Sequence, residues 1–425
     1  MSSRTLIRGG SVLTLGVKTP NFDAADVLID DGRVAEVGRG LRARDAELVD
    51  ASDTIVMPGF VDTHRHVWKS LFRNLDQAES GGRTSVVDTA LHQPEDVYAA
   101  TLVGLLGAVE AGITTVVDWA DLPPGHEHSR AALEAHRDSG LRTVFVTAGL
   151  EQRPELQGSL TTIAFGSPDL TGAFLDRLTE GWASARAEGL RIHVHAGLPD
   201  SPQGLVANLW ERGLLGEDVT LIHCSSLRGD DLDAVASSGA SVSLTPPSEM
   251  AGGLGSPPTQ ELIDRGVRPG LGVDSEGATP GDMFAPMRAT ISMQHAELFD
   301  LRLAGKGGLP NLLSTREVIR YGTLHGARVA GLGDVTGSLE PGKQADLIVL
   351  RADRPNITPV NDPIGAVVWG MDTSNLDWVF VGGKALMRGG ELAADVARAR
   401  ALAGSAQERV VGRASRLLVD TGGAG

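Results

Sequence analysis

Eight short apolar runs recur between residues 58 and 338 of this 425-residue chain. They read GFVDTHRH, TTVVDWAD, RTVFVTAGL, TTIAFGSP, LRIHVHAG, VTLIHCSSL, SVSLTPPSE and RPGLGVDSEG. Each is short and apolar, as a strand is. Amphipathic stretches such as EDVYAATLVGLLGAVEAG and DDLDAVASSG separate several of them. Strand and helix alternating eight times predict an α/β fold, a (β/α)8 TIM-like barrel. The 54 glycines cluster at run ends and in loops, for example Gly252, Gly253 and Gly255, and follow no repeat, which excludes a collagen-like or linker chain.

The two ends have a different texture. RTLIRGGSVLTL, ADVLIDDGRVAEVG and AELVDASDTIVM carry aliphatic residues bounded by turn formers, and ADLIVLRAD and DWVFVGGKALMRGG repeat the pattern near the C-terminus. Each end alone is short for an independent core, so the expectation is one small β-sandwich domain composed of 1–57 and 339–390 around a barrel of 58–338. Residues 391–425, rich in Ala, Arg and Leu, read as a helical tail.

Composition removes several classes of function. Hydrophobic residues at 41% against charged residues at 22% support a sizeable core and exclude wholesale disorder. The formal net charge of −16 argues against a nucleic-acid backbone or an anionic membrane surface as partner. Cys224 is the single cysteine, so neither an internal disulfide framework nor a four-cysteine zinc site is available. With no apolar stretch of about 18 residues, the expectation is a soluble, cytoplasmic protein.

A barrel presents its reactive groups at the C-terminal ends of its strands. His64 and His66 end the first run; their i,i+2 spacing on a strand sends both side chains from one face. His193 and His195 repeat the spacing in the fifth run, with His195 nearer the mouth and His193 a layer below. His223 ends the sixth run and Asp274 the eighth. Imidazoles with a carboxylate suit a borderline divalent cation such as zinc. The coincidence of these residues at the ends of several runs carries the reading; an isolated His-x-His does not, as His126 and His128 in a Pro/Gly loop illustrate. His92, His136, His295 and His325 accompany helical segments and read as caps, packing or solvent residues.

These motifs together resemble the amidohydrolase superfamily, in the branch that includes cytosine, guanine and S-adenosylhomocysteine deaminases and the triazine hydrolases. MPGFVDTHRH is similar to that family's first-strand signature and EAGITTVVD to its second strand; LIHC, GLGVD, GTLHGARVAGLG and GSLEPGKQADLIVL follow in order. The resemblance implies that His64, His66 and His195 bind the metal, with Asp274 as a ligand or near-ligand and proton carrier. It implies that His223 contacts the attacking water or the substrate. Relatives with two metals bridge them with a carboxylated lysine ending the fourth strand. RTVFVTAGL and TTIAFGSPDL contain no lysine, so one divalent metal per chain is expected, zinc first and iron(II) as the alternative. Relatives are often homodimers or higher homo-oligomers, which sets the same expectation here.

The implied chemistry is hydrolytic: a divalent ion brings the pKa of its water toward ~7 for attack on an sp2 carbon. One departure bears on the substrate. The deaminases of this branch carry a proton-shuttling glutamate three residues after the fifth-strand histidine, where this chain has Leu198. Glu249, in SLTPPSEM, and Glu276, two residues past Asp274, are candidates to replace that acid or to bind a cationic substrate group; solvated loop carboxylates are the other reading. Trp68 is a candidate to stack on a flat ring, or else packs the first loop, and Arg73 to bind a carboxylate or pair with an acidic residue. Trp119, Asp118 and Asp121 lie near the same mouth. Cys224 should point into the wall.

The function expected is hydrolysis of a C–N bond, not a peptide bond, in a small cyclic or heteroaromatic molecule, with no organic cofactor. The alternatives are an aminoheterocycle deaminase recruiting Glu249 or Glu276, and a metal-dependent lyase or isomerase on the same site. A binding protein without turnover is a third.

Overall fold

The structure is a computed structural model that describes residues 4–75, 89–123, 126–148, 160–170, 175–277 and 279–422. Gly149 and Leu150 at the end of the third run, and 423–425 of the tail, lie outside these residues. Each of the eight runs forms one strand of a parallel sheet: Phe60–Arg65, Ile113–Trp119, Arg142–Thr147, Thr161–Gly166, Ile192–Ala196, Val219–His223, Ser241–Leu244 and Gly270–Leu271. They neighbour one another in chain order, and the sheet curls into a nearly closed barrel. Helices on the outside cover it, so the strands read as continuous apolar runs because both of their faces are buried.

The first of these helices, Pro94–Glu110, shows how the sequence sets an element. Proline stands in its first turn and Gln93 and Asp96 form a reciprocal capping box; the helix stops at Ala111, before Gly112 at φ 76°. The Asp96 carboxylate also holds Arg409 and Arg413 of the C-terminal helix Val396–Gly422. Of the tail expected over 391–425, Val396–Gly422 is a long helix docked on the barrel wall, whereas Glu391–Leu392 pair with Lys384–Arg388 as the edge strand of the terminal sheet.

Both ends of the chain meet in one mixed nine-stranded sheet. Thr54–Pro58 pairs in parallel with Arg4–Val12 and antiparallel with Leu347–Arg351, two residues before the first barrel strand begins. A buried ion pair, Arg142 Nε to Asp346 Oδ2 at 2.6 Å, fastens this sheet to the third barrel strand. Among the described residues no helix is long and apolar enough to cross a membrane.

Candidate active site

The histidines of the first, fifth and sixth strands converge at the barrel mouth. His64, His66 and His195 present ring nitrogens that all lie within 4.8 Å of one another. The Nε2 atoms of His64 and His195 are 3.4 Å apart. Asp274 Oδ1 stands 3.5 Å from Nε2 of both His64 and His66. The structure thus brings together the four residues expected to hold a metal.

Two outer nitrogens are tied to carboxylates. His66 Nδ1 bonds Asp121 Oδ1 at 2.9 Å and His195 Nδ1 bonds Asp169 Oδ1 at 2.9 Å. A carboxylate at Nδ1 fixes the proton there and leaves the Nε2 lone pair facing inward. Burial holds His64 well below the ordinary histidine range and lowers His195 too, so both are neutral donors. Asp274 is lowered as well: burial alone would raise it, but hydrogen bonding to His64 and the charge of His64, His66 and His223 hold it well below the carboxylate range. Inward-facing imidazole nitrogens gathered round an ionised carboxylate fit a divalent metal ion.

Backbone conformation marks the same place. His223, Cys224 and Asp274 adopt left-handed φ values of 72°, 61° and 66°. Such geometry costs a non-glycine residue about 1–3 kcal/mol and persists where the surroundings over-determine it. Asp274 is so held: its N–H donates to His64 O and its carbonyl accepts from His66 N–H, both at 2.8 Å. Its Oδ2 accepts from Ser248 Oγ.

His223 stacks on His195, ring centroids 5.4 Å apart. Behind it, Glu249 Oε1 lies 3.2 Å from His223 Nδ1 and accepts from Thr245 N–H at 2.8 Å. Burial lowers the affinity of His223 for a proton, but the Glu249 carboxylate and Asp274 outweigh this and raise it. Glu249 is fully buried and acts on the cavity through His223.

The cavity at the mouth has a volume of about 610 Å³ and is lined by His66, Lys69, Asp169, His195, His223, Ser248 and Asp274 on its polar side and by Leu75, Leu198 and Leu254 on its apolar side. Leu198 is therefore at the site as an apolar wall. The other sequence candidates lie elsewhere. Trp68 is buried, packs against His92 and donates its indole N–H to Asp121 Oδ1 at 2.5 Å, so its contacts are with the first loop. Arg73 and Glu276 are joined to each other at 2.8 Å and line a different cavity. Glu276 also accepts from Arg65 at 2.6 Å and Ser70 at 2.5 Å. Trp119 packs on His195 at 4.3 Å, while Asp118 bonds His136 and the Val67 N–H. His193 is buried with neither ring nitrogen bonded. Cys224 is buried, and burial pushes its thiol far up, away from nucleophilic use.

Sequence reasoning missed Asp169, Lys69 and Ser248. The available signal for Asp169 was its place just past the end of the fourth strand, where side chains face the mouth.

Residues 55–386 match the amidohydrolase family. Over 91% of its length the chain is 28% identical to a 5'-deoxyadenosine deaminase of Methanothermobacter thermautotrophicus, covering 94% of that protein. A 5-methylthioadenosine/S-adenosylhomocysteine deaminase of Syntrophus aciditrophicus is 27% identical, with 91% of this chain and 93% of that one aligned. Among solved structures, a zinc-bound adenosine deaminase of Xanthomonas campestris superposes with a TM-score of 0.79 at 20% identity, over 96% of this chain and 99% of the other. The zinc complex of an atrazine chlorohydrolase of Arthrobacter aurescens does so at 0.79 and 23%, over 95% and 100%.

Proposed function

The chain belongs to the amidohydrolase family, and we propose that it hydrolyses a C–N bond of a small cyclic or heteroaromatic molecule, using one zinc ion per chain held by His64, His66, His195 and Asp274. The observation that carries this reading is the convergence of three imidazoles and a carboxylate in one cavity, with two of the outer nitrogens tied to Asp121 and Asp169. A divalent ion at that point would lower the pKa of water toward ~7 and supply the nucleophile at neutral pH.

The chain's own groups then account for the rest. Asp274, ionised and 3.5 Å from two ligand nitrogens, takes the proton released by the attacking water and delivers it to the departing nitrogen. Ser248 holds its second oxygen and so fixes the direction of transfer. His223, its Nδ1–H held by Glu249 and its proton affinity raised, presents Nε2–H to the cavity to donate to the substrate heteroatom on the electrophilic carbon and so polarise it. Leu75, Leu198 and Leu254 give the cavity an apolar wall against which a flat ring can lie.

A second reading is supported by the deaminase relatives and by the Glu249–His223 pair: deamination of an aminoheterocycle, the proton for ammonia coming through His223 in place of a glutamate at position 198. Glu276 does not support this route, since Arg65, Arg73 and Ser70 occupy its oxygens. The reading further includes a cytoplasmic homo-oligomer, for which sedimentation velocity is the measure.

The test is turnover in ¹⁸O-labelled water with aminopurine nucleosides, substituted triazines and cyclic amides. One ¹⁸O in the product, with the C–N bond broken by ring opening or by loss of an amine, is expected; release of free ammonia selects the second reading. A product without solvent oxygen would indicate a lyase or isomerase and contradict both.

A further inference from the structure

The barrel has one seam without a strand ladder. Every other neighbouring pair of its strands forms a ladder, but among the described residues the first and eighth share only the bridge between Arg65 and Asp274, made by the Asp274 N–H to His64 O and His66 N–H to Asp274 O bonds. His64, His66 and Asp274 lie on opposite sides of this seam. Polar side chains extend the closure beyond that single backbone bridge. Asp62 Oδ1 accepts from Val273 N–H across the seam at 3.1 Å, and its Oδ2 lies 3.3 Å from Arg65 Nη1. Arg65 Nη2 donates to Glu276 Oε1 at 2.6 Å, while Glu276 Oε2 accepts from Ser70 and Arg73 of the first loop.

This chain of charges is almost wholly out of water: Asp62 is 0%, Arg65 1% and Glu276 8% exposed. Burying a charged network that merely stabilises is a poor bargain, since apolar packing often does as well. Two glycines are shaped around it. A Cβ on Gly281 would fall 2.1 Å from Glu276 Oε1, and one on Gly272 would fall 2.7 Å from His64 O. The backbone is thus pared to let Glu276 reach Arg65 and to let the eighth strand press against a ligand residue.

We propose that Arg65 and Glu276 are positioning residues of the metal centre: across this single-bridge seam their ion pair holds the backbone bridge closed, and so keeps the separation of Asp274 from His64 and His66, and with it the affinity for the ion. The inference rests on the metal reading above and goes beyond it by assigning this role to two residues outside the cavity. Residues that orient metal ligands without touching the metal change affinity by roughly 10- to 100-fold when replaced.

The experiment measures Zn(II) affinity by competition with a chromophoric chelator, and the Co(II) d–d spectrum, for wild type, Glu276→Gln and Gly281→Ala. Asp346→Asn, which breaks a buried pair remote from the site, controls for general destabilisation. Glu276→Gln should lose roughly 10- to 100-fold in affinity and shift the Co(II) spectrum, and Gly281→Ala, which displaces the same carboxylate, should do so to a lesser degree. Asp346→Asn should lower the unfolding temperature with affinity and spectrum unchanged. If Glu276→Gln does not fold, Gly281→Ala and Ser70→Ala carry the test. Folded variants with wild-type affinity and spectrum would overturn the proposal while leaving the metal reading intact. A wild-type protein that takes up neither Zn(II) nor Co(II) would overturn both.

Discussion

At the scale of single residues, the site consists of groups with directed protonation. Burial favours the neutral forms of His64 and His195, while, against burial, the hydrogen bond from His64 and the neighbouring His66 and His223 favour the ionised form of Asp274. Asp274→Asn keeps the shape and removes the proton acceptor. It should lower kcat/KM by about 10²- to 10⁴-fold in steady-state assays, the usual contribution of a positioned acid or base; an unchanged value would remove Asp274 from proton transfer. The inner residues were legible because His-x-His on a strand puts two rings on one face, whatever the rest of the fold does. Their outer partners were not. Asp121 and Asp169 lie 55 and 26 residues from the histidines they bond, and only the closure of the barrel brings them into reach. Glu276 was legible as a carboxylate near the mouth, but its three partners come from the first strand and the loop after it, which spacing does not reveal.

At the scale of elements, all eight apolar runs became barrel strands, because both-face burial demands apolar residues whatever the neighbour. The eighth is a ladder of only Gly270–Leu271, and spacing does not reveal that its far side is closed by one backbone bridge and a buried side-chain network. The tail was legible as helix from its propensities, whereas its docking was not, since that depends on one buried acid, Asp96, receiving two arginines from more than 300 residues away. Asp96→Ala removes the acceptor for Arg409 and Arg413 and breaks the capping box. It should destabilise the protein by about 1–3 kcal/mol in urea unfolding, and a loss below about 0.5 kcal/mol would show that the helix docks by apolar contact alone.

At the scale of the whole molecule, the sheet built from both termini sits directly before the first barrel strand, so the strand carrying His64 and His66 starts from an anchored end. On another part of the barrel, burial and then the nearby Arg328, Arg320 and Arg268 lower His325 to about 4. The unfolded chain, with an ordinary histidine, takes up this proton first as the pH falls from about 6.5. Stability from neutral His325 is therefore complete above that pH and is lost progressively down to about 4. His325→Asn should flatten the decline in denaturant midpoint between pH 7 and 4.5; an identical decline in both proteins would place the acid sensitivity elsewhere.

The central claim is that this family member carries one divalent ion on His64, His66, His195 and Asp274. Elemental analysis of protein purified without chelators, beside His66→Ala, tests it most directly, and distinguishes zinc from iron(II). One zinc per chain in wild type and its loss in the variant are expected. Two ions per chain, or none even after incubation with zinc, would contradict it.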